Sequence, residues 1–169
     1  MSRLLLRLID IMRFRAGPQD LPGGWGFAVI FMVIYGLMGA VTDRMLDGAE
    51  AAPRSLFSLM VQVCAGAALL WLRRVPSRLP QTISALAGTG IVFGFITILL
   101  LLQVTPQGFP QGLGLIWLGI FLWSLFVDAH IYRHALSITM SLGVLVAVTV
   151  FALNFLVIEA LFPAPAGSG

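Results

Sequence analysis

Between Ser137 and Leu161 the chain runs for about 25 residues, and after Ser141 only Asn154 and Glu159 are strongly polar. As a helix this stretch is roughly 37 Å long at ~1.5 Å per residue, and a hydrocarbon core asks for ~30 Å. A backbone in hydrocarbon must satisfy its own hydrogen bonds, and a helix does so within one segment. Four further apolar runs precede it, at residues 25–41, 55–72, 82–104 and 110–127. The reading is all-α: a polytopic membrane protein, one membrane domain over residues 1–169, with five transmembrane helices. The run at 110–127 is slightly short of the core at ~27 Å. Pro110 suits its first helical position. Pro163 ends the last run, and the residues beyond it read as a short frayed tail.

The composition agrees. The chain is 59% hydrophobic and 10% charged, where a soluble domain would be about a quarter charged. All ten basic residues are arginine, which with abundant Ala, Gly and Leu points to a GC-rich bacterial genome. The net charge of +3 gives no reason to expect nucleic acid as a partner, because the arginines flank apolar runs, where they set orientation. Cys64 is the sole cysteine, so intrachain disulfides and thiolate clusters are excluded. In its apolar run it reads as a small buried core residue.

Residues 1–14 form a different pattern. At 100° per residue Arg3, Arg7 and Asp10 share one face, with Arg13 at its edge. Leu4, Leu5, Leu8, Ile9, Ile11 and Met12 share the other. This predicts a basic amphipathic helix lying at the membrane interface. Arg7 and Asp10 interrupt the apolar stretch, which argues against a cleaved signal peptide. Residues 15–24 hold two prolines and three glycines and read as a turn into the first span. Their polar side chains, with Arg13, Arg15, Gln19 and Asp20 foremost, could equally serve as a recognition loop.

Arginine placement orients the five runs. Arg3, Arg7, Arg13, Arg15, Arg73, Arg74, Arg78 and Arg133 fall on one side; Arg44 and Arg54 fall on the other, in or beside an acidic loop with Asp43, Asp47 and Glu50. The positive side is cytoplasmic, so the N-terminus is expected inside and the C-terminus outside. The eight arginines and Asp20 are the expected contacts for lipid or a cytoplasmic partner.

Within the spans, Gly36 and Ala40 give a small-xxx-small pair, and Gly90 and Gly94 a GxxxG. Both read as helix-packing positions. Tyr35, Gln62, Thr97 and Asn154 each lie about seven residues, roughly 10 Å, from the outer ends of their runs. They predict a shared polar layer in which at least Gln62 and Asn154 turn inward and bond each other.

Residues 128–134, Asp-Ala-His-Ile-Tyr-Arg-His, read as a polar hinge between the last two spans. His130 and His134 are four apart and could hold a metal on one helix face, with Asp128 as a third ligand. Ile131 follows His130 where a zinc protease would have Glu. The plainer reading is an interfacial cluster meeting headgroups. On these boundaries no Asp, Glu, Arg or His falls near the middle of a span, where proton relays and ion-coupled transporters place them. No Ser/His/Asp grouping, phosphate-cradling loop or cofactor motif is present, and no cofactor is expected.

The stretch Phe14-Arg-Ala-Gly-Pro-Gln-Asp-Leu-Pro22 resembles the N-terminal motif of small proteobacterial inner-membrane proteins of unknown function. The five-span plan resembles that of Yip1-type membrane proteins. These resemblances imply a bacterial inner-membrane protein with a cytoplasmic N-terminus and a periplasmic C-terminus, and they supply no catalytic residues. The leading expectation is a non-enzymatic scaffold or accessory protein, with the lipid bilayer and another membrane protein or a second copy as partners. The rivals are a small transporter or channel, and a membrane enzyme or metal site at the histidines. A pore should show a polar stripe along several helices; a scaffold should show a closed apolar core.

Overall fold

The computed structural model describes residues 2–47, 52–104 and 112–163. The expectations placed on Glu50, on residues 105–111 with Pro110 among them, and on residues 164–169 lie outside these. Among the described residues there are six α-helices and no strands: α1 (Ser2–Met12), α2 (Trp25–Asp47), α3 (Ala52–Leu72), α4 (Leu79–Leu101), α5 (Leu113–Leu136) and α6 (Met140–Leu161). Helices α2 to α6 are each long and apolar enough to cross a membrane. The chain is thus an integral, multi-pass membrane protein by the length and composition of its helices.

Local chemistry sets the helix ends. Pro80 sits in the first turn of α4, where its missing N–H costs nothing. Three helices stop on a non-glycine residue in the left-handed region: Phe14 after α1, Arg74 after α3 and Ser137 after α5. In each case a backbone N–H just beyond reaches back into the last turn: Arg15 to Asp10, Val75 to Leu70, Ile138 to Arg133. These bonds satisfy carbonyls that the helix itself leaves open.

Helix α4 is the centre of the bundle. Half of its apolar window is buried inside the protein, against 11–22% for the other four spans. It packs against α1, α2, α3 and α5, while α5 pairs with α6 and α3 closes onto both α2 and α6. The outer faces carry large apolar side chains in the open, among them Leu115 at 76% and Leu72 at 80% exposure. Such a surface suits lipid and not water.

Glycines set how closely these helices approach. A Cβ on Gly90 would meet the Tyr35 ring at 2.7 Å, and one on Gly94 would meet Met38 at 3.3 Å, so the GxxxG of α4 receives α2. On α2 it is Gly36 and Gly39 that face α3: a Cβ on Gly39 would lie 2.7 Å from Ser55 Cβ. The tightest crossing is that of α5 and α6, where a Cβ on Gly143 would come within 2.5 Å of the Ala129 carbonyl oxygen.

Two sequence expectations are corrected here. Residues 128–134 are not a hinge: they are helical and form the final two turns of α5. The break is at Ser137, and only Ser137, Ile138 and Thr139 separate α5 from α6. Cys64 is exposed on the outer face of α3 instead of buried in the core.

Helix α1 is amphipathic, as its sequence pattern implies. Leu8, Ile11 and Met12 are buried where α1 packs against α4 and α5. Leu5, Leu6 and Ile9 remain exposed with Arg3 and Arg7. The apolar residues are thus divided between the bundle and its surroundings.

Candidate functional site

One end of the bundle gathers α1, residues 13–24, the Pro76–Arg78 turn and the α5–α6 turn. The Phe14–Pro22 motif is the plug of this end. Phe14 stacks edge-on against His130 with ring centroids 5.2 Å apart, and the buried Ala16 presents its carbonyl to His130 Nε2 at 2.9 Å. That carbonyl can only accept, so Nε2 carries the proton. The Gly17 N–H donates to the Asp20 carboxylate at 2.8 Å, closing a turn around buried Pro18. Gln81 donates to the Leu21 carbonyl, and Trp123 donates to the Met12 carbonyl. Arg78 then caps α5, its Nη1 donating to the carbonyls of His134 and Ala135 and to Ser137 Oγ at 2.8 Å. Cations suit a helix C-terminus for electrostatic reasons too. Of the residues expected to meet lipid or a partner, Asp20 and Arg78 are therefore engaged within the chain, Arg73 reaches the Leu136 carbonyl, and Arg3, Arg7, Arg13, Arg15, Arg74 and Arg133 are exposed.

The three candidate metal ligands point to different places. His130 and His134 stack edge-on, centroids 4.5 Å apart, with His130 spent on the Ala16 carbonyl. Asp128 lines cavities in the bundle interior that neither histidine touches. Among the described residues, no three His, Cys, Asp or Glu side chains are grouped to hold a metal.

Cavities lie between the helices of the bundle. Two of them, each about 260 Å³, share Tyr35, Gln62, Ser124 and Asp128 in their walls. The first extends toward Thr42 and Asp43 on α2 and Thr97 on α4. The second runs between α3, α5 and α6, past Ser58, Tyr132 and Asn154. The polar residues come from all five spans. On α5 they recur every fourth position, Ser124, Asp128 and Tyr132, and on α3 Ser58 and Gln62 do the same. Side chains four apart lie on one face of a helix, so each set forms an inward stripe.

Asp128 stands eight residues from the end of α5, roughly 12 Å along its axis, which places a carboxyl group inside the bilayer span. This corrects the expectation that no Asp, Glu, Arg or His falls near the middle of a span, which holds only if the fourth span ends at residue 127. Among the described residues no hydrogen-bond donor or cation contacts its carboxylate, and the residue is only half-buried because it borders the cavities. Tyr132 is 2% exposed, and its buried hydroxyl has no hydrogen-bond partner among the described residues. The structure brings Tyr35, Gln62, Thr97 and Asn154 to the walls of these cavities. Asn154, however, is held by Ser58 and not by Gln62: Ser58 Oγ donates to its Oδ1 at 3.0 Å, and its Nδ2 donates to the Ser58 carbonyl at 2.9 Å.

Comparison with protein-family profiles, curated proteins and solved structures returned no match.

Proposed function

We propose that this protein binds a small polar solute inside its helix bundle, as a carrier or permeation protein of a bacterial inner membrane. The observation that carries this reading is the polar lining around Asp128. An ionisable side chain among transmembrane helices is costly, and such residues commonly mark a substrate or ion pathway. A scaffold needs only a closed apolar core. Here five spans turn hydroxyl, amide and carboxyl groups toward shared cavities instead. The bacterial setting rests on the arginine-only basic composition and on the Phe14–Pro22 resemblance. The arginine-rich end is the cytoplasmic one by the positive-inside bias, with α1 at that interface. Lipid is then the partner of the outer faces, and the exposed arginines meet anionic headgroups.

The test is aqueous access. Cys64 is replaced by Ser, and single cysteines are placed by Ser124→Cys in the cavity wall and by Leu115→Cys on the outer face. A small water-soluble thiol reagent applied to membrane vesicles is expected to label the Ser124→Cys protein and to spare the Leu115→Cys protein. Equal inertness of both would refute a hydrated cavity and return the protein to the scaffold class.

A further inference from the structure

We propose that the cavities at Asp128 form a binding site for a small organic ammonium ion, with Asp128 as its counter-ion and Tyr132 as a hydrogen-bond acceptor. This rests on the reading of the cavity as solute-accessible and adds the chemical class of the solute.

The charge of the lining decides the sign. Asp128 borders both cavities, and Asp43 borders the first where it approaches the far end of α2. No arginine or histidine is among the described residues lining either one, and the chain has no lysine. Every basic residue near α5 lies at the plugged end, where Arg78 is committed to helix carbonyls. A solute in the second cavity meets one carboxylate, Asp128, among hydroxyl and amide groups, and the first cavity adds Asp43, whose carboxylate accepts the Ser55 N–H. An anion would be repelled. A cation would offset the carboxylate's loss of hydration, since an ion pair in a low-dielectric site survives only with good partners.

Size and chemistry separate an organic cation from a metal ion. Calcium takes six to eight oxygen ligands, and transition metals want clusters of His, Cys and carboxylate. Among the described residues no such cluster of three exists. Each cavity, at about 260 Å³, is many times the ~30 Å³ that one water occupies in the liquid. Aromatic rings share the walls with the carboxylate: Tyr35 and Phe93 in the first cavity, Phe121, Tyr132 and Phe151 in the second. Ring faces attract ammonium groups, most strongly when water is excluded. Their flat apolar surfaces also suit the carbon skeleton of an amine.

Tyr132 is the independent observation. Its hydroxyl is buried in the second cavity's wall without a partner among the described residues, and a buried polar group left unpaired is destabilising. It lies one helical turn from Asp128 on the same stripe. An ammonium group held between the two would donate one N–H to the Asp128 carboxylate and another to the Tyr132 hydroxyl oxygen. A quaternary ammonium has no N–H to give.

The experiment uses the full chain in lipid nanodiscs with three probes of one shape, benzylammonium, benzyl alcohol and benzoate, and with benzyltrimethylammonium as the quaternary control. Calorimetry is expected to show saturable binding of benzylammonium and none of benzoate. Asp128→Asn should weaken benzylammonium at least tenfold. Tyr132→Phe should weaken benzylammonium several-fold and leave benzyltrimethylammonium unchanged, a split that a merely structural role would not produce. The cysteine labelling pattern, repeated in the Asp128→Asn background, separates loss of binding from loss of fold; if that variant misfolds, the Tyr132→Phe split decides. Comparable binding of all three probes would overturn the charge assignment while leaving the cavity reading intact. Competition by calcium at stoichiometric concentration would make the site inorganic and overturn the proposal. Absence of any binding with Ser124→Cys still labelled would overturn it alone, and absence of both binding and labelling would overturn the functional reading with it.

Discussion

Gly143 has less room than any other described glycine within a helix. An added methyl would lie 2.5 Å from the Ala129 carbonyl oxygen and 3.2 Å from Arg133 Cβ. The first neighbour is backbone and cannot rotate away. Gly143→Ala should therefore force α5 and α6 apart, at about 1–3 kcal/mol, the usual cost of overpacking. Gly119→Ala is the internal control, because nothing lies within 4 Å of its Cβ position. It should be neutral or stabilise by up to about 1 kcal/mol through helix propensity. Reversible unfolding in mixed micelles reads both, and equal losses would show that the crossing is not set by Gly143. At this scale the sequence is only partly legible. Gly90 and Gly94 announce themselves as a motif, and they do receive Tyr35 and Met38. Gly143 stands alone in its run, and nothing in the spacing marks it. Asn154 was legible as inward-facing because an amide in hydrocarbon needs a partner. That the partner is Ser58 could be seen only once α3 and α6 were placed side by side.

At the scale of elements, α5 carries the most information and was the hardest to read. A span of residues 110–127 is short for a bilayer, and α5 instead continues to Leu136, for 24 residues or roughly 36 Å. Its last turns contain Asp128, His130, Arg133 and His134, and polar residues in such density resemble a loop. They are tolerated in a helix because two faces of α5 are covered by protein, one by the cavity walls and the other by the N-terminal segment. A fourfold spacing through Ser124, Asp128 and Tyr132 is the signal available, and a helix ending at Val127 hides it. The second face makes its own prediction. His130 and Trp123, seven residues apart, both donate to the backbone of the segment from Met12 to Ala16. Hydrogen bonds of this kind contribute about 0.5–1.5 kcal/mol each. In the double variant His130→Leu, Trp123→Phe, α1 should loosen from α5. A spin label at Leu8→Cys, immobile in the parent, should become mobile in the double variant. An unchanged spectrum would mean that apolar contacts alone hold α1.

For the whole molecule, the number of spans was readable from hydropathy alone, and the boundaries moved without changing the count. Arginine placement adds an expected orientation. Reporter fusions after Arg78 and after Ser137 should read cytoplasmic, and fusions after Asp47 and after Gly169 should read external. A cytoplasmic reading at Gly169 would defeat the arrangement. The interior was less legible than the outline. Polarity in a span is visible in sequence, but whether scattered polar groups converge depends on helix rotation, which small residues such as Gly39 and Gly90 set through close approach.

The three-residue connection between α5 and α6 bears on how the protein is made. Helix α5 has the lowest hydropathy of the five spans and α6 the highest, and of the carboxylates in the described spans Asp128 on α5 lies farthest from a helix end. A translocon offered α5 by itself would meet the penalty for an aspartate in the bilayer, about 2.5–3.5 kcal/mol at mid-span. With so little chain between them the two helices must partition together as one hairpin, so the strongly apolar partner draws the polar one in before any cavity exists to receive its side chains.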